Sequence, residues 1–108
     1  MKWELEKIEN AFIKIESEGW DTKSPLKWGF TFFAKTQKEL KMIYDELEGY
    51  GYSMEKLEYR EDLTLWILYV TKVETLQPTK LHNRNISFEE LANYYKIDCY
   101  DSWDVVRI

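Results

Sequence analysis

The residues best placed to do chemistry lie near the end of the chain, in the run Tyr100-Asp101-Ser102-Trp103-Asp104. Two large rings alternate there with carboxylates. Glu89-Glu90 and Asp98 precede them, so five acidic residues stand against one basic residue, Lys96, between positions 89 and 104. Paired carboxylates can exchange protons with a substrate. That work also needs a nucleophile, a basic clamp or an enclosed pocket, and the neighbouring sequence supplies none. Two other uses remain for the run. Asp101 could bond backbone amides in a turn, with Trp103 packed on a helix. Alternatively, Trp103 and Tyr100 could anchor a protein contact rimmed by Asp101, Asp104, Glu89 and Glu90, since Trp and Tyr are favoured interface anchors.

No other motif competes with that run. His82 and Cys99 are each the only residue of their type, far apart and outside any ligand-spaced pattern, so no metal site is expected. A single cysteine also excludes an intramolecular disulfide. The four glycines form neither a dinucleotide fingerprint nor a phosphate loop, and no cofactor is expected. The net charge of −5 argues against direct nucleic-acid binding, which relies on Lys and Arg neutralising phosphates, and suits a partner with a basic surface. No apolar run reaches the roughly 18 residues of a membrane span. The start, Met1-Lys2-Trp3-Glu4, leads into a charged amphipathic stretch rather than a signal peptide, so a cytoplasmic protein is expected.

These residues must be held by a single domain, because 108 residues are too few for two. The 17% aromatic content gives such a small domain large rings with which to fill its core. Residues 1–18 form an N-terminal helical segment, with Leu5, Ile8, Phe12 and Ile15 at helical spacing. That stripe must be buried on the domain or against a second copy of the chain, which leaves a homodimer open. The core spans 28–107. Trp28 to Lys35 alternates as a strand, and Thr36 with Glu39 predicts a capping box for a helix over 38–48. Residues 52–60 form a polar edge strand and 63–73 a central one. A helix over 80–95 follows Pro78, with Ser87 and Glu90 offering a second start, and residues 99–107 form the last strand. The order predicts an α+β fold, a ferredoxin-like βαββαβ sandwich: a four-stranded antiparallel sheet with two helices on one face, plus the N-terminal helix. The N-terminal helix is free to cover part of the other face.

The same residues carry a family resemblance. Leu91-Ala92 followed by Tyr100-Asp101-Ser102-Trp103 is similar to the Leu-Ala pair and Tyr-Asp-Gly-Trp motif of the RraB family, the regulators of ribonuclease E activity. Gly19-Trp20-Asp21, Gly51-Tyr52 and Trp66 resemble further family positions in the same order, and the likeness covers about residues 15–104. Ser102 stands in place of the motif glycine, and Phe30 and Thr31 in place of a histidine pair. The resemblance implies a ferredoxin-like fold, no catalysis and a protein partner, a nuclease or its basic segment. Two alternatives differ from this regulatory role. One is an immunity protein that neutralises a basic toxin. The other is a small-molecule-binding domain or enzyme using the open face of the sheet.

Overall fold

A computed structural model describes residues 3–108. The first two residues of the expected N-terminal segment lie outside them. The elements are α1 (Leu5–Ser17), β1 (Leu26–Ala34), α2 (Gln37–Glu48), β2 (Ser53–Arg60), β3 (Leu65–Glu74), α3 (Pro78–Tyr94) and β4 (Cys99–Val106). The strands form one antiparallel sheet in the order β2-β3-β1-β4.

Alternation along β1 decides which side of the sheet is covered. Trp28, Phe30 and Phe32 point to one face and are fully buried. Phe88 from α3 meets Phe30 edge-on at 5.0 Å, and Tyr100 lies 5.1 Å from Phe32. Leu40, Ile43 and Leu47 of α2 and Leu81, Phe88 and Ala92 of α3 close this side. Two ring polar ends find partners inside: the Trp28 indole donates to the Glu74 carbonyl at 2.9 Å, and the Tyr100 hydroxyl to Asn85 Oδ1 at 2.5 Å.

Local chemistry sets the element ends. Gly51 adopts φ +92°, which glycine tolerates without steric cost, and the Tyr52 amide turns back to the Leu47 carbonyl to end α2. Pro78 opens α3 at its first turn, where no amide donor is required. A four-residue connection joins β2 to β3, and the Arg60 guanidinium grips both oxygens of Asp62 across it.

Several expectations are corrected. β1 begins two residues early, at Leu26, because Leu26 is itself a core residue. Thr36 and Glu39 bond each other through their side chains, and no side-chain bond caps the α2 amides, so the capping box is not formed. α3 runs unbroken through Ser87, since Asn85 and Phe88 continue its buried face. The N-terminal helix packs on the same side as α2 and α3. Phe12 stacks on Trp28 at 5.6 Å, and Ile8 and Phe12 are buried. Three helices therefore share one face, and none covers the other.

Phe12→Ala is expected to cost about 3–5 kcal/mol in a denaturant melt, the usual penalty for removing a buried ring. A loss below about 1 kcal/mol would show that α1 does not dock on Trp28.

Candidate partner-binding edge at the last strand

Among the described strands β4 pairs with β1 and lies at one end of the sheet order. Phe30 lies opposite Trp103, Gly29 opposite Asp104 and Thr31 opposite Ser102, but Phe32 lies opposite Tyr100. The register shifts between Thr31 and Phe32, and Asp101 is the extra residue of a β-bulge. In a regular strand, residues three apart face opposite ways. The bulge instead brings both Tyr100 and Trp103 to the helical side.

Asp101, Ser102 and Asp104 line a shallow depression of about 330 Å³ on the bare face, floored by Thr31, Phe33, Ile67 and Tyr69. Tyr69 reaches from β3 across β1, and its hydroxyl donates to Asp104 Oδ1 at 2.7 Å. Gly29 makes that crossing possible. A Cβ there would sit 2.2 Å from the Tyr69 hydroxyl and 2.5 Å from the Asp104 oxygen. Burial, then the bond to Asp104, raises the Tyr69 phenol above its ordinary pKa. Farther along the face, Lys27 and then Thr71 hold the Glu55 carboxyl below the ordinary range.

On the helical side, Trp103 lies 6.0 Å from Trp28 and is partly exposed. Beside it Trp3 stands 5.0 Å from Tyr100, and its indole donates to Glu89 Oε2 at 2.6 Å. Trp3, Glu4, Lys7, Ile8 and Trp103 line a cleft of about 190 Å³.

The geometry therefore divides the expected cluster. Tyr100 has no exposed surface. Asp101 and Asp104 face the bare side, while Trp103 faces the helices, so the acids do not rim that ring on one surface. Glu89 is tied to Trp3, and Glu90 is exposed on α3. What Tyr100, Asp101, Trp103 and Asp104 share is β4, with Asp101 and Asp104 on its bare side and Glu89, tied to Trp3, on its helical side. The run also lies within β4 rather than in a turn. Sequence reasoning missed Trp3, Glu4, Gly29 and Tyr69. A glycine inside a strand was the available signal, because it marks a bulge or a close approach.

His82 and Cys99 are both partly exposed, on α3 and at the start of β4. Among the described residues, no three His, Cys, Asp or Glu side chains gather where they could hold a metal. Nor is any described helix long and apolar enough to cross a membrane.

A family model described as "Regulator of ribonuclease activity B" (RraB) matches residues 5–105. The chain belongs to the RraB family. A search of curated proteins gives no match. The RraB match runs from the first residue of α1 to the penultimate residue of β4, so α1 is part of the family domain. It places the chain among regulators of ribonuclease activity. The departures noted above now have locations: Phe30 is a core ring, while Thr31 and Ser102 lie side by side on the bare face. Ser102 is not among the positive-φ residues, so this position needs no glycine.

Gly29→Ala is expected to destabilise the domain by about 1–3 kcal/mol through overpacking. The cost should be smaller in a Tyr69→Ala background, as a double-mutant cycle would measure; equal costs would show that Tyr69 does not depend on the missing Cβ. Alkaline stability provides a second check. Burial raises the phenol pKa of Tyr100 and Tyr69, and that of Tyr52 to about 12. A raised phenol pKa favours the protonated folded state, so this stability is fully present below the unfolded pKa of about 10 and is lost as pH rises through the folded values. The melting temperature should fall steeply above about pH 10, and a flat profile to pH 12 would contradict the burial of these phenols.

Proposed function

We propose that this chain regulates a ribonuclease by docking the β4 edge on a basic segment of that enzyme, without catalysing a reaction itself. The observation that carries this reading is the RraB match over residues 5–105. The net charge of −5 supports it, as do Asp101 and Asp104 on the bare side of β4 and Glu89, tied to Trp3, on its helical side. Carboxylates in such positions steer a basic partner toward the edge, and exposed charges set association rate and specificity more than total affinity. Tyr69 adds orientation, because its hydroxyl fixes the Asp104 carboxylate on the bare face. The β-α-β-β-α-β order, with β1 and β3 central, supports reading the core as a ferredoxin-like sandwich. The setting we propose is the cytoplasm.

The test uses the host's ribonuclease E or, in a host without it, the principal degradative endoribonuclease. Binding and inhibition of RNA cleavage are measured for the native chain, Asp101→Lys and Glu90→Lys. Each reversal is expected to weaken binding about tenfold, within the range measured for charge pairs at interfaces. Stability should change by less than about 0.5 kcal/mol, as is usual for surface substitutions. Raising the salt from about 0.05 to about 0.3 M should weaken the native complex, because it shortens the screening length. Unchanged affinity in both variants, or no binding to the ribonuclease, would refute the proposal.

A further inference from the structure

We infer that the cavity between the end of α2 and α3 binds a small carboxylic acid with an apolar body, Lys72 receiving its carboxylate. The inference goes beyond docking at β4 and does not depend on it. The placement of Lys72 carries it. Lys72 lies opposite Trp28 in the register of β1 and β3, so its side chain leaves the sheet on the helical side. Glu74, two residues on, shares that side, and the Arg84 guanidinium grips both its oxygens. Lys72 has no such counterpart. Among the described residues no carboxylate pairs with its ammonium, although the residue is half-buried. Lysine is seldom taken out of water without a paired charge. The chain supplies only a ring: the ammonium stands 5.2 Å from the Tyr52 centroid. The stem passes Gly51, where a Cβ would come within 3.5 Å of Lys72 Cε.

The cavity that Lys72 lines holds about 560 Å³, within the roughly 300–1,000 Å³ of small-molecule sites. Leu47, Tyr52 and Phe88 are buried at its base, with Phe88 meeting Tyr52 edge-on at 5.7 Å. Leu91 is half-buried beside them, and Tyr50, 74% exposed, flanks the opening. An apolar base with one fixed cation selects its ligand by chemistry. The body of the ligand is dehydrated against the base, and its carboxylate takes a charge-assisted hydrogen bond from the ammonium. Arg84 also lines the cavity, but Glu74 already balances its charge. One group opposes an acid. Glu46 lines the same cavity, where the Tyr95 hydroxyl bonds it. Its removal therefore has a definite sign: neutralising Glu46 must favour an entering carboxylate.

The test titrates the full chain, labelled with nitrogen-15, with phenylbutyrate, octanoate and indoleacetate, following the backbone amides. At least one acid should give saturable movement at residues 50–52, 72 and 84–91, while β4 stays in place. Phenylbutanol and phenylbutylamine, which share a body with phenylbutyrate, should bind more weakly than the acid. Lys72→Gln should weaken the acid by about tenfold, as expected for a hydrogen bond to a charged group, and leave the alcohol unchanged. Lys72→Arg, which keeps the charge, should recover part of the loss. Glu46→Gln should tighten the acid by about 1.5- to 5-fold, the range of an exposed charge pair. No saturable movement with any of the three acids would overturn the inference. So would an alcohol or amine that binds as tightly as its acid, or a folded Lys72→Gln chain that binds the acid as well as the native one. Should Lys72→Gln fail to fold, the comparison of acid, alcohol and amine on the native chain still decides.

Discussion

The pleat of β1 is the constraint on which the other features depend. Trp28, Phe30 and Phe32 must be dehydrated together, and only the helices can do it. That fixes the side on which α1, α2 and α3 pack and leaves the opposite side to Gly29, Thr31 and Phe33. Register then carries the same parity into β4. Trp103 follows Phe30 toward the helices, and Asp104 follows Gly29 toward the bare face. A one-residue slip would reverse every one of these assignments. The bulge at Asp101 is where parity changes between β1 and β4, and it allows Tyr100 to join the core beside Asn85.

Much of this was legible in the sequence because it rests on periodicity. The β1 rings alternate, the α2 stripe of Leu40, Ile43 and Leu47 repeats at helical spacing, and the apolar character of β3 marks a central strand. The candidate site was less legible. A bulge has no periodic signature, so Tyr100, Asp101, Trp103 and Asp104 read as one surface when they occupy two. The partners of those residues come from distant elements: Glu89 meets Trp3 across 86 positions, and Asp104 meets Tyr69 across 35. Nor does helical spacing in α1 say which side of the sheet it will cover. That choice belongs to the Phe12–Trp28 stack. Thr36 and Glu39 have the right types for a capping box, yet their side chains satisfy each other.

An edge strand presents backbone groups that another chain can engage, and natural proteins guard such edges with charge and bulges. β4 has both, in Asp101, Asp104 and the register shift. The same features that discourage indiscriminate pairing favour a basic partner over an acidic or neutral one. β2, the other edge, has a different character, with Lys56 and Arg60 among its exposed residues. Glu55 and Glu58 balance those two cations, so β2 carries no net charge where β4 carries two carboxylates, and the Trp3–Trp103 cleft lies beside β4.

Amide hydrogen exchange, with and without the ribonuclease, tests this asymmetry most directly, because it reads both edges in one experiment. Docking at β4 should slow exchange at residues 99–106 and at the start of α1, and leave β2 at residues 53–60 unchanged. Protection that appears on β2, or in the groove between α2 and α3, with none on β4 would contradict the account.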